Sequence, residues 1–174
     1  MTTTQYHNSF LNKIFSLFNG AIISDIIYIH DENDSVIDNV CFFALNHSQV
    51  VGFYINGTNP LMTTSHIDHF DSFNLYSIYT RLAEVKSGRL SAFPVEHMKV
   101  VFHPDYNELI AILLSSADFL QSVLVVFSTD EIYVHENCHQ SDFIELIKTD
   151  LKQFKKTDFL VFQKDIDDIN WTIV

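Results

Sequence analysis

The segment Ser65-His66-Ile67-Asp68-His69 sets two imidazoles three residues apart with a carboxylate between them. Neutral imidazole and carboxylate are common ligands of hydrolytic metals, and a metal held by such groups can activate a bound water. The competing reading is a polar loop carrying two ordinary histidines out of nine. A second cluster, Asp31-Glu32-Asn33-Asp34-Ser35, begins like a calcium loop. Such a loop needs glycine at its sixth position and glutamate at its twelfth, where Val36 and Phe42 stand, so the cluster reads as a solvated hairpin turn. His47, His97, His103, His135 and His139 are widely spaced. His135 or His139 could meet Cys138 to form a thiolate pair, but no neighbour in the sequence marks that thiol as activated, and structural roles are expected.

The run from Thr64 to His69 resembles the second half of the HxHxDH motif of metallo-β-lactamase-type hydrolases. The resemblance covers six residues and implies a metal-dependent hydrolase using His66, Asp68 and His69. The chain departs from the motif at Thr64, where its first histidine belongs, and no glycine pair follows His69. Other reaction classes have less to stand on. Gly20, Gly52, Gly57 and Gly88 are too scattered for a dinucleotide fingerprint or a P-loop, and no GxSxG elbow occurs. No cofactor is expected.

The elements that would position these residues follow from hydrophobic spacing. Phe10, Leu11, Ile14, Phe15 and Phe18 predict a helix over 8–18, closed by Gly20. Strands are expected at 21–30, 36–45 and 50–55, joined by short polar turns as an antiparallel meander. A second helix is expected over 73–86, ended by Gly88, and further strands at 97–103, 108–115, 121–128 and 131–136. The stretch 108–120 is ambiguous because a short apolar run fits either element. Phe143, Leu146, Ile147, Leu151 and Phe154 predict a helix over 142–155, with Asp142 and Glu145 as a capping box. Lys152, Lys155 and Lys156 suit its C-terminal dipole. Strands at 159–163 and 171–174 complete the chain. The expectation is one α+β domain over 1–174: a largely antiparallel sheet of about seven strands with about three helices on one face.

Charge narrows the choice of partner. Twenty-two Asp and Glu against ten Lys and Arg give a net charge of −12. That surplus disfavours direct binding to nucleic acid or anionic lipid and would steer a basic protein into encounter. Solubility alone would equally explain an acidic surface. No apolar run approaches the length of a membrane span, no secretory start is evident, and two cysteines outside any CxxC pair suit a reducing cytoplasm. The expected partner-binding residues are the acidic clusters Asp31, Glu32 and Asp34; Asp68 and Asp71; Asp165, Asp167 and Asp168. Aromatic anchors among them would come from Trp171 and from Tyr28, Tyr54, Tyr76 and Tyr106.

A small, acidic α+β chain of this kind resembles, in general character, the immunity proteins of bacterial contact-dependent inhibition and polymorphic toxin systems. The resemblance implies a non-enzymatic protein that neutralises a cognate basic toxin domain, a nuclease above all. A metal-dependent hydrolase built on the central histidines and a phage-type nucleic-acid mimic are the alternatives.

Overall fold

The computed structural model describes residues 3–46, 48–55, 60–64, 81–104, 108–151 and 159–174, with side chains from residue 9 onward. The contacts within the chain gather into two compact units. One is residues 23–92 with 129–132; the other combines 1–22, 93–128 and 133–174.

The first unit is an antiparallel sheet. Its strands are β1 (Ile22–His30), β2 (Val36–Leu45), β3 (Gln49–Tyr54), β4 (Leu61–Thr63) and β5 (Ala83–Lys86), in the spatial order β4-β3-β2-β1-β5. β1 to β3 form the expected meander. Ile27, Ile29, Ile37, Val40, Phe42 and Tyr54 make a cluster over one of its faces. Gly52 faces Phe42 across β2 and β3, and a Cβ there would lie 2.5 Å from the buried Phe42 ring. Glycine is what lets that ring lie across the neighbouring strand.

The second unit is built around β7 (His97–Phe102), β8 (Leu109–Ser115), β9 (Ser122–Phe127), β10 (Ile132–Glu136), β11 (Leu160–Asp165) and β12 (Thr172–Ile173), preceded by the two-residue β6 (Phe93–Pro94). Their order is β10-β9-β8-β7-β11-β12, with β9–β8, β8–β7, β7–β11 and β11–β12 antiparallel. Every residue of β8 and β9 is buried. An antiparallel sheet with one wet face would show alternation, so the unbroken runs LIAILLS and SVLVVF require cover on both faces. On one face α2 (Phe143–Asp150) supplies it, while α1 (Thr3–Phe18) lies against β7 and β11. Phe10 of α1 meets Phe102 edge-on, and Phe15 lies under Lys164. Phe143, Ile147 and Leu151 pack with Val101, Leu113, Leu124, Val126 and Val161. Phe102 and Val101 are adjacent on β7 and point to opposite sides, so α1 and α2 lie on opposite faces. α1 buries Leu11, Ile14 and Phe18 and stops at Gly20, whose φ of 67° suits glycine.

The α+β class holds, but among the described residues two sheets and two helices replace the expected single sheet with three helices on one face. The expected helix over 73–86 fails where it can be seen, because Ala83–Lys86 pairs with β1 as a strand; residues 65–80 lie outside the described residues. The capping box also fails. Asp142 has helical φ and ψ and no side-chain cap bond, and its Oδ1 instead accepts the Ser141 hydroxyl at 2.7 Å. α2 ends at Asp150, short of the expected 155, because Leu151 leaves helical geometry as its C-cap at φ −98° and ψ 63°; the lysines at 152, 155 and 156 lie outside the described residues. No described helix is long and apolar enough to cross a membrane.

Gly52→Ala should lower stability by about 1–3 kcal/mol through overpacking against Phe42. A lower urea midpoint at unchanged slope is the expected result.

Candidate functional site

β8 and β9 are apolar except for serines at one end, and those serines line up with polar residues at the ends of β7 and β11. Asp165 ends β11, His97 starts β7, Ser115 ends β8 and Ser122 starts β9, and the four stand in register as one row. Asp165 and His97 are joined by a hydrogen bond between Oδ1 and Nδ1. The Phe119 ring stacks on the imidazole, 4.3 Å between centroids and 18° from parallel. Ser122 donates its hydroxyl to the Cys138 carbonyl.

Two loops leave this end of the sheet, and each is tied down by carboxylates. In the loop from Ser116 to Gln121, Asp118 Oδ1 accepts the Ser116 hydroxyl at 2.6 Å and the Leu120 N–H at 3.1 Å. The Ser116 bond, then the Leu120 bond, lowers the Asp118 pKa. Glu96 Oε2 accepts the Ala117 N–H at 2.8 Å. Phe119 sits at φ 56°, a conformation unusual outside glycine and asparagine. That backbone turns the Phe119 ring inward onto His97, and Leu120 remains 76% exposed.

The other loop follows β11. Asp168 Oδ2 accepts the Asp165 N–H at 3.2 Å, and the Glu96 carbonyl accepts the Ile166 N–H at 2.8 Å. Lys164, only 5% exposed, donates to the Ile169 carbonyl at 2.7 Å while its ammonium lies 4.1 Å above the Phe15 ring. With its carbonyl held inward, Ile169 presents a side chain that is 89% exposed. Asp167 and Asp168 are exposed beside it. Glu96 is bonded to both loops, so Glu96, Asp118, Asp165, Asp167 and Asp168 belong to one end of one sheet. Half-buried Lys99 lies nearby on β7; burial lowers its pKa and the Asp165 charge opposes that shift.

The remaining residues singled out by sequence lie elsewhere or turn inward. Asp31, Glu32 and Asp34 form the β1–β2 turn of the first unit. Asp31 Oδ1 accepts the N–H groups of Asn33 and Ser35 at 2.8 and 3.0 Å, which lowers its pKa, the Ser35 bond most. Asp34, at φ 63°, pairs with His30 at 2.9 Å. Trp171 meets Phe15 edge-on with centroids 6.4 Å apart, and its indole nitrogen is buried with no hydrogen-bond partner among the described residues. Its ring is therefore a packing element of the second unit. Tyr54 is buried in the first unit's cluster. Asp68, Asp71, His66, His69, Tyr76 and Tyr106 lie outside the described residues. Among the described residues no group of three or more His, Cys, Asp or Glu is placed to hold a metal.

Sequence reasoning missed His97, Glu96, Asp118, Phe119, Leu120 and Ile169 as neighbours. The available signal was that both loops adjoin the ends of uninterrupted apolar runs.

Two arrangements bear on nucleophilic chemistry. Asp165, His97 and Ser115 follow the order of a serine-nucleophile triad. Ser115 is 2% exposed, however, and makes no hydrogen bond to His97, so the row lacks an accessible nucleophile. Burial pushes the Cys41 thiol up to about 12, and burial with the Asp142 charge pushes Cys138 up to about 11. Neither resembles an activated thiol. His135 bonds Asp150 at 2.6 Å and ties β10 to the end of α2.

No protein-family model, curated protein or solved structure matches the chain.

The Asp118 bonds have a pH consequence. Its folded pKa is below 3.8, so its contribution to the loop is present above 3.8 and is lost as pH falls through the lowered value. Ser116→Ala should move the Asp118 pKa back toward 3.8, read by carboxyl NMR titration; an unchanged pKa would remove the Ser116 hydroxyl as the cause.

Proposed function

We propose that the protein is a non-catalytic, cytoplasmic binding protein that captures a basic protein domain, as an immunity protein captures its cognate toxin. The observation that carries this reading is the gathering of Glu96, Asp118, Asp165, Asp167 and Asp168 at one end of the second sheet, beside the exposed Leu120 and Ile169. A nuclease must present positive charge to phosphate, so it is the toxin class whose surface best complements these carboxylates. Glu96, Asp118, Asp165 and Asp168 are each already held by a hydrogen bond to backbone or side chain. Ordering them on association costs less than ordering free side chains. Charge of this kind acts mainly on encounter, and apolar anchors act on residence time.

The direct test is a pull-down with the C-terminal domain of the protein encoded by the gene immediately upstream, whatever that protein is, followed by stopped-flow association of any captured domain at two salt concentrations. The association rate should fall about tenfold or more between about 20 and 500 mM salt, without turnover of the partner. A rate indifferent to salt, or no complex at all, would count against the proposal.

A further inference from the structure

Among the large apolar side chains described, Leu120 and Ile169 are two of the most exposed, at 76% and 89%. Neither is exposed through local looseness. The Leu120 N–H is bonded to Asp118, whose carboxylate also holds Ser116, while the preceding Phe119 is folded down on His97. The Ile169 carbonyl is held by the buried Lys164. The backbone on both sides is thus fixed in a form that turns an apolar side chain to water, a cost with no return inside the unit. Both loops are fastened to Glu96, one through its carboxylate and the other through its carbonyl.

We infer that Leu120 and Ile169 are the apolar anchors of the docking site and that their occupant is a protein segment carrying arginines around an apolar core. This rests on the reading above and places it on the molecule. Arginine is indicated because its planar fork can take a carboxylate oxygen pair and its stem can lie along exposed Leu or Ile. Asp165, Asp167 and Asp168 beside Ile169, with Asp118 and Glu96 beside Leu120, supply the charge complement at the rim. Lys99 is drawn under by Phe143, its ammonium 5.1 Å from that ring, and opposes the carboxylates only from a half-buried position. The hairpin turn at Asp31–Asp34 is equally acidic, but its one large exposed apolar neighbour, Val36, begins a strand rather than standing in the turn.

The test uses the full chain, isotope-labelled, and a synthetic peptide amide of alternating arginine and leucine, with the glutamate–leucine peptide as control. Amide shifts on adding the arginine peptide should centre on residues 96–97, 116–121 and 165–169. Leu120→Ser combined with Ile169→Ser should weaken binding about tenfold or more, as loss of central anchors does. Asp167→Lys, at an exposed position, should weaken it with an unchanged melting temperature, which separates docking from folding. Asp31→Asn with Asp34→Asn should leave affinity within about twofold. Shifts centred on residues 31–35, or undiminished binding by the double serine variant, would overturn the placement. If salt-sensitive capture of the basic toxin domain persisted in that variant, the proposed function would stand while this site fell; absence of both kinds of binding would sink the function itself.

Discussion

Two-sided burial of β8 and β9 is the constraint from which the second unit follows. The thirteen positions of β8 and β9 carry no wet side chain, and their only polar residues, Ser115 and Ser122, stand at one end. α2 covers one face of β8 and β9, and α1 lies on the opposite side of the sheet against β7 and β11. His97, Ser115, Ser122 and Asp165 stand together at one end of the strands, and the loops from that end carry the charge. Lys164 shows the same logic from the opposite face. It is buried under α1 with no carboxylate partner among the described residues, and its ammonium takes the Ile169 carbonyl and the face of Phe15.

The sequence made the strongest elements readable because their signal is local. β2 spans the residues expected of it, β1, β3, β8 and β9 fall within a residue or two, and Gly20 ends α1 as its position suggests. Elements of two to four residues carry little period, so β4, β5 and β6 were largely invisible, while β12 falls inside the strand expected at 171–174. The Leu82 and Val85 spacing that suggests a helix also fits a strand lying against β1, and pairing with Ile27–His30 decides it. The Asp142–Glu145 pattern names a cap, but Ser141 takes the Asp142 carboxylate first. One sheet and two sheets have the same local pattern, since strand order is a long-range property.

The site was legible only in part. Net charge says how many carboxylates there are, not which share a surface. Several prove to have local structural work: Asp25 accepts the Gly88 N–H, Asp31 closes a hairpin, and Asp118 and Asp168 close the loops. Such work competes with docking as an explanation of any one acid. It does not explain why the loops fixed by Asp118 and Lys164 end in exposed leucine and isoleucine. That coincidence of fixed backbone, surplus negative charge and outward apolar side chains is what separates the end of the second sheet from the Asp31–Asp34 turn.

The central claim is that this end of the sheet is where a basic protein sits. Hydrogen exchange of the backbone amides, compared between the free chain and the chain saturated with the arginine–leucine peptide, tests it most directly. The account predicts new protection at Glu96 and His97, across Ser116–Gln121 and across Asp165–Asn170. Protection confined to the first unit, with those two loops exchanging as they do in the free protein, would contradict it.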